Sequence, residues 1–301
     1  TSAELARLEI DGFVLAFEPR SGSDPYAHTE SGLFRQEDSA VIAQVATLGD
    51  FEITIDGSAA TEPTTLVMVL ANVGPATSVI AEPVDRPQDL VDVTAAPGEL
   101  HRGVTLDLAA GESWAIRGTT YCPQRYRVAV FADTQTDMGV LQAIVDRLDQ
   151  ESAEADAAGE PLLGALLVGD LTDVGTIEEI VAVREMLQAG SVPVAATVGN
   201  HDVYTADVDV FNREIGPGNL RFDLCETRLV VLDTGDAGLA PSIEARLTAL
   251  LDGAGADQLL VATHYPPYSS RLGNGWSHED QQTRALAEIA AAVGAPPLDG
   301  E

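Results

Sequence analysis

The sequence contains no lysine, so its 16 basic side chains are all arginines and stand against 48 acidic ones, for a formal net charge of −32. Nucleic acids and anionic membranes are bound through basic surfaces. A chain this acidic is therefore not expected to bind either of them. We interpret the acidity as a solvated surface suited to high salt, with a cation-collecting surface as the alternative.

Long apolar runs and cysteines are also scarce. No apolar run approaches the ~20 residues that a membrane-spanning helix needs, so membrane insertion is not predicted. Cys122 and Cys225 are too few for a disulfide framework and lack the spacing of metal ligands. They either pair in an oxidising compartment or remain two buried free thiols, and we favour the second.

The first residue is Thr1 rather than Met, which indicates that an export signal has been removed or that the sequence is a fragment. Together with the acidity and the β-rich first half described next, this favours an exported protein, periplasmic or extracellular.

The sequence pattern changes near residue 125, and a length of 301 residues favours about two domains. Before that point, short apolar segments are separated by Gly, Pro, Asp and Thr clusters, a pattern typical of a β-sandwich. These segments are residues 13–17, 41–46, 51–55, 66–71 and 104–108. We predict an all-β accessory domain over residues 1–124.

After residue 125, apolar strands alternate with amphipathic helices, which predicts an α/β domain with parallel strands and helices on both faces. Thr176 and Glu179 form a capping box at the start of one helix, and Gly190 is placed to end it. A later helix is predicted from Pro241 to Gly253. The predicted strands are residues 128–132, 163–168, 194–198, 229–232 and 259–262.

Polar side chains follow four of these strands, at the end of a parallel sheet where ligands bind. The segments are Asp133-Thr134-Gln135, Gly169-Asp170-Leu171-Thr172-Asp173, Gly199-Asn200-His201-Asp202 and Thr263-His264. One strand-end carboxylate more often caps the next helix. Four such ends in order indicate a site, and their mixed oxygen and nitrogen ligands suit Mn, Fe or Zn.

These segments resemble the motifs of the calcineurin-like metallophosphoesterases. That family carries Asp-x-His, Gly-Asp-x-x-Asp, Gly-Asn-His-Asp or Glu, a lone His and finally Gly-His-x-His. The second and third motifs match without substitution, and the resemblance covers about residues 126–290. It implies a metallophosphoesterase-like α/β domain over residues 125–301, preceded by the all-β sandwich.

The resemblance also implies roles for the matching residues. Asp170 would bridge two divalent transition-metal ions, with Asp133 and Gln135 at the first and Asn200 and His264 at the second. The remaining three would be catalytic or orienting: His201, Asp173 and Asp202. His201 would stabilise the phosphoryl oxygens or protonate the leaving oxygen, and the two aspartates would orient it. The implied reaction is hydrolysis of a phosphate mono- or diester, from a small molecule or another phosphorylated substrate, by a water that the two metals activate.

Two departures from the family pattern leave an alternative open. Gln135 stands where the family usually has His, and no Gly-His-x-His is present. We expect that the chain is truncated before that motif; otherwise it is a divergent member acting as a binding or scaffolding protein. A third interpretation is a doubly wound fold that binds a small molecule without metal.

Three residues between positions 268 and 278 are further candidates for this site. His278 could replace a missing ligand but is more typical of a loop residue. Tyr268 and Trp276, like Tyr265, would line a substrate pocket or pack within their loop.

Overall fold

The computed structural model describes residues 5–17, 31–37, 39–96, 98–135, 137–205, 207–253, 255–267 and 279–294. Tyr268, Trp276 and His278 lie outside the described residues. No helix in these ranges is long and apolar enough to cross a membrane.

The first half of the described chain consists mainly of two β-sheets. Its strands are β1 (Arg7–Ile10), β2 (Phe13–Phe17), β3 (Gly32–Glu37), β4 (Ala40–Val45), β5 (Phe51–Asp56), β6 (Thr64–Ala71), β7 (Thr77–Pro83), β8 (Val91–Asp92), β9 (Arg102–Leu108) and β10 (Trp114–Thr120). One sheet has the order β1-β2-β5-β10-β7-β8 and is antiparallel throughout; the other has the order β3-β4-β6-β9, in which only β4 and β6 are parallel.

Alternating side chains explain how these strands form. In β2, Phe13, Leu15 and Phe17 are buried while the residues between them are half-buried, which is the two-residue period of a strand with one face on a core. Buried side chains from both sheets, such as Met68 and Ile116, belong to one apolar cluster. The predicted short strands are thus confirmed, and the sandwich domain with its boundary at residue 124 stays a prediction.

The second half alternates helices and strands. The elements are β11 (Arg127–Phe131), α1 (Met138–Ala158), β12 (Leu162–Val168), α2 (Ile177–Ala189), β13 (Val194–Thr197), α3 (Val208–Glu214), β14 (Leu220–Leu224), β15 (Thr227–Leu232), α4 (Pro241–Glu244), α5 (Leu247–Leu250), β16 (Gln258–Thr263) and α6 (Glu279–Ala292). The mixed α/β content of this half is confirmed.

The expectation of uniformly parallel pairing is wrong for part of this half. The strands form two sheets of three, β11-β12-β13 and β14-β15-β16. The first is parallel, but β14 and β15 form an antiparallel hairpin whose turn contains Cys225 at a φ of 55°. The helix predicted from Pro241 to Gly253 is two short helices, α4 and α5.

The two sheets pack face to face with helices outside them. Leu166 and Val168 of β12 meet Phe222, Leu229 and Val231 of the second sheet in one apolar cluster. The opposite face of the first sheet is covered by α1, α2 and α3, and that of the second by α5 and α6. Because β12 has both faces covered, every residue in it is buried, as its unbroken apolar sequence predicts.

The helix ends follow the sequence signals. The capping box of Thr176 and Glu179 is present at the start of α2, and Gly190 caps its end, as predicted. Asp137 caps α1, accepting a hydrogen bond from the backbone N–H of Gly139, and Gly159 ends that helix with a left-handed φ of 73°.

Polar contacts connect the two halves of the chain. The side chain of Asn72 donates to the carbonyl of Val194 at 2.9 Å and accepts from its N–H at 2.9 Å, as a neighbouring strand would. Arg35 of β3 and Arg184 of α2 both bind the carboxylate of Glu214. Like-charged guanidinium groups share one carboxylate here, so Glu214 ties together three elements from both halves.

A disulfide bond joins Cys122 to Cys225, so the preference for two buried free thiols is wrong. Cys122 is exposed and Cys225 is half-buried. The β14–β15 hairpin brings its turn beside the segment that follows β10, with a Cα–Cα distance of 5.4 Å. The 103-residue separation of the two cysteines gave no sign of this proximity.

We expect Cys122→Ser to lower the free energy of unfolding by up to about 4–5 kcal/mol, the loop-entropy effect of a crosslink that closes about 100 residues. Urea unfolding followed by circular dichroism measures the change. Reductant should destabilise the wild type to a similar extent and leave the variant unaffected; equal stability of the wild type with and without reductant contradicts the prediction.

Candidate metal centre

The strand ends of the second half converge on one site. Asp133 follows β11, Asp170 follows β12 and His264 follows β16. One ligand atom from each of these three residues lies within 4.8 Å of the other two, and no other cluster of three potential ligands among His, Cys, Asp and Glu was found in the described ranges. Three strands from two sheets therefore supply a carboxylate–carboxylate–imidazole set.

Two of these residues have a strained backbone. Asp133 has a φ of 58° and Asp170 a φ of 56°, in the left-handed region that costs a residue with a side chain about 1–3 kcal/mol. Both turn sharply at the end of a strand. Four residues outside the cluster share this conformation: Asp11, Asn72, Cys225 and Ala237. The strained backbone therefore accompanies the cluster without being specific to it.

Asp170 lies at the middle of the cluster and is only 4% exposed. Its Oδ1 lies 3.3 Å from Nε2 of His264 and accepts the backbone N–H of His201 at 3.0 Å. Its Oδ2 accepts a hydrogen bond from Gln135 at 3.2 Å. Burial opposes ionisation of this carboxyl, but the bonds from His264 and His201 outweigh it and lower the pKa of Asp170.

The ring of His264 is oriented by the end of β12. Its Nδ1 lies 3.0 Å from the carbonyl of Val168, so Nδ1 carries the proton and donates. Nε2 then faces Asp170 and Oδ1 of Asn200, which is 3.3 Å away. Burial disfavours the imidazolium, yet Asp170 raises the pKa of His264 by its hydrogen bond and charge. A ring fixed through one nitrogen presents the other as a metal ligand.

Gln135 also belongs to this cluster. Its Nε2 bonds to Asp170, while its Oε1 is buried with no hydrogen-bond partner among the described residues. A buried acceptor left unpaired costs about 1–3 kcal/mol. A divalent cation would satisfy this oxygen, so the residues present fit a metal centre with an amide in place of the usual imidazole.

The segment after β13 supplies two further polar side chains. Asn200 contacts His264 through Oδ1 and donates from Nδ2 to the hydroxyl of Tyr204. Nδ1 of His201 lies 2.6 Å from the backbone carbonyl of Asp173, and its Nε2 lies 4.0 Å from Asp170. Asp173 therefore contacts His201 through its main chain rather than through the carboxylate that the sequence pointed to.

Asp202 is fully buried and joins the segments after β12 and β13. Its Oδ1 accepts the backbone N–H groups of Leu171 and Thr172 and the hydroxyl of Thr172, each at 2.9 Å. Its Oδ2 accepts the N–H of Gly199 at 2.8 Å. Burial, with the nearby charge of Asp170, raises the pKa of Asp202, although the donors of Gly199 and Thr172 act in the opposite direction.

Glycine is required where these segments approach one another. A Cβ on Gly169 would lie 2.5 Å from the ring of His264, and one on Gly199 would lie 2.2 Å from the backbone nitrogen of Asp170. Side chains at either position would push apart the groups that form the cluster. This explains why glycine precedes both Asp170 and Asn200.

Asp233 is a strand-end carboxylate that the sequence analysis did not single out. It follows β15 as Asp170 follows β12, so the same pattern could have identified it. Its Oδ1 accepts the N–H of Gly235 at 3.0 Å. Burial, with the nearby charges of Asp236 and Asp202, raises the pKa of Asp233 to about 6.

Comparison with known proteins places the second half in a family. The sequence model of the calcineurin-like phosphoesterases matches residues 126–292, more than half of the chain. No curated protein matches it. A solved structure, a GH30 endoxylanase from Clostridium papyrosolvens C71, aligns at 11% identity with a TM-score of 0.18, over 36% of this chain and 24% of that chain. A TM-score this low supports no conclusion about fold or activity.

We expect Asp202→Asn to destabilise the protein by about 1–3 kcal/mol, because one oxygen is replaced by an NH₂ group facing the N–H of Gly199 or the three donors at Oδ1. Urea unfolding measures the change. Asp209→Asn removes the same charge at an exposed position of α3 and is expected to change stability by less than about 0.5 kcal/mol; equal effects of the two substitutions contradict the prediction.

A second prediction concerns pH. Because the pKa of Asp233 is raised from 3.8 to about 6 in the folded protein, this carboxyl stabilises the fold below about pH 4 and loses that effect as pH rises through about 6. Asp233→Asn should therefore gain stability over the wild type between pH 4 and pH 7, by up to about 3 kcal/mol. The measurement is urea unfolding at each pH, and a difference that stays constant with pH contradicts it.

Proposed function

We propose that this chain, which belongs to the calcineurin-like phosphoesterase family, hydrolyses phosphate mono- or diesters at the site of Asp133, Asp170 and His264. The observation that carries the proposal is the convergence of these three side chains from three strands within 4.8 Å. Family membership supports a metal-dependent hydrolase, and the cluster supplies the ligand types that such an enzyme needs.

The proposed cofactor is a pair of divalent transition-metal ions, Mn, Fe or Zn. Asp170 is suited to bridge them because its two oxygens contact different groups, Oδ1 toward His264 and Oδ2 toward Gln135. Asp133 and the unpaired oxygen of Gln135 would hold one ion, and Asn200 and His264 the other. When bound, such ions acidify a coordinated water and neutralise charge on the phosphoryl oxygens.

His201 is the proposed proton donor to the leaving oxygen. The carbonyl of Asp173 fixes Nδ1, which leaves Nε2 directed toward the cluster, 4.0 Å from Asp170. The side chain is 29% exposed, so a substrate can reach it. A histidine held by one nitrogen can also donate a hydrogen bond to a phosphoryl oxygen from the other.

Residues 1–124 are proposed to form an accessory β-sandwich. Their two sheets share one apolar cluster, which is the arrangement expected of a sandwich. Their contacts with the second half include Asn72, Arg35, the disulfide and the apolar cluster that contains Ala46 and Leu48. In this proposal the first half supports the catalytic half and contributes no ligand.

A binding or scaffolding protein is the second candidate, favoured by one observation. Gln135 offers a neutral amide where the family usually has an imidazole, and amides bind transition metals more weakly. A protein of this kind would bind metal poorly and show no turnover.

Asp170→Asn is expected to abolish stoichiometric metal binding and to lower turnover at least about 100-fold, because it removes the charge of the central ligand. Substitution of residues that only hydrogen-bond to a metal ligand already costs about 10–100-fold. Metal content by mass spectrometry and hydrolysis of p-nitrophenyl phosphate and bis(p-nitrophenyl) phosphate with added manganese are the measurements. Asp146→Asn, at an exposed position on α1, is the matched control. Wild-type metal content and turnover in Asp170→Asn would refute the proposal; metal binding without turnover in the wild type would favour the second candidate.

A further inference from the structure

A cavity of about 550 Å³ lies beside the proposed metal centre. Its walls include the apolar side chains of Val198, Val203 and Leu239 and the carboxylates of Asp207, Asp233 and Asp236. None of these residues is a ligand of the proposed metals. The cavity is therefore a separate space with its own chemistry.

The cavity shares a wall with the catalytic segment. Val198 and Val203 stand on either side of residues 199–202, which carry Asn200 and His201. Gly235, which also lines the cavity, lies so close to this segment that an added Cβ would be 3.0 Å from the carbonyl oxygen of Gly199. The hydroxyl of Thr234 accepts the N–H of Tyr265, directly after His264. The cavity and the metal cluster therefore lie against the same segment, residues 199–202.

The charged side chains that line the cavity are all acidic within the described part of the chain. Asp233 is the important one, because it is mostly enclosed by protein while part of its surface stays open to the cavity. Its Oδ1 accepts from Gly235, and no donor contacts its Oδ2 among the residues that the structure describes. A carboxylate in such surroundings is stabilised by a positively charged partner and would repel an anion.

The carboxylates that line the cavity do not converge as the three ligands of one metal ion would. The cluster of Asp133, Asp170 and His264 is the one group of three potential ligands that converges within the described ranges. Asp207, Asp233 and Asp236 do not form a second such group. Carboxylates spread around apolar walls fit a larger organic cation, whose alkyl groups would contact Val198, Val203 and Leu239 while its charge would lie near Asp233.

We propose that this cavity binds the quaternary or primary ammonium group of the alcohol portion of the substrate, so that the enzyme acts on phosphate esters of aminoalcohols. The inference rests on the proposed phosphoesterase function. The phosphoryl group would lie at the metal centre, and the ammonium-bearing arm would extend past residues 199–202 into the cavity.

Choline and its neutral isostere 3,3-dimethylbutan-1-ol test the cavity by binding alone. Isothermal titration calorimetry on the purified protein should show choline binding at least tenfold more tightly than the isostere. Asp233→Asn keeps the shape of the side chain and an acceptor for Gly235, and it should reduce that ratio at least fivefold. Asp146→Asn, which removes an equal charge outside the cavity, should keep the wild-type ratio.

Hydrolysis assays distinguish the cavity proposal from the phosphoesterase function on which it rests. If bis(p-nitrophenyl) phosphate is cleaved but choline and its isostere bind equally, the cavity proposal is overturned and the phosphoesterase function stands. If choline binds selectively through Asp233 but no ester is cleaved, including p-nitrophenyl phosphorylcholine, the cation site stands and the phosphoesterase function fails. Selective binding that Asp146→Asn weakens as much as Asp233→Asn also overturns the cavity proposal, because net charge would then explain it.

Discussion

Four hydrogen bonds to the buried carboxylate of Asp202 hold together the segments from which the site is built. One oxygen accepts three donors from Leu171 and Thr172, and the other accepts the N–H of Gly199. The first segment presents Asp170 and the second presents Asn200 and His201. Neither segment is part of a strand or an α-helix. Beyond the last pair of the β12–β13 ladder, Val168 with Thr197, they are joined by this carboxylate and by the bond from the N–H of His201 to Asp170.

The close approach of the two segments is possible because each begins with glycine. Gly169 leaves room for the ring of His264, and Gly199 leaves room for the backbone of Asp170. The hydrogen bond from His264 to the carbonyl of Val168 then connects the second sheet to the first. A site made from two sheets thus needs a hydrogen-bond acceptor that joins its segments, here Asp202, and glycines where the segments approach closely, here Gly169 and Gly199.

The sequence predicted the strand ends, the capping box of α2 and the residues of the cluster, because each depends on a local pattern of a few residues. It did not predict the antiparallel β14–β15 hairpin, because β14 is not among the strands that its pattern predicts. The disulfide depends on that hairpin, and the sequence left it as the less favoured of two alternatives. Asp233 was not predicted although it follows a strand as Asp170 does, because none of the family motifs that this sequence resembles includes a residue at that position.

The connection between the two halves has a consequence for how substrate reaches the site. Residues 121–126 are attached at both ends: the N–H of Tyr121 donates to the carbonyl of Ala76, and the hydroxyl of Tyr126 bonds to Thr227 at 2.7 Å. The Cys122–Cys225 bond closes the same stretch covalently. Hinge motion between domains requires a few backbone residues that are free to rotate, and this connector is held against both halves. We therefore expect the two halves to tumble together in solution, and access to the proposed metal centre to be set by the loops at the strand ends.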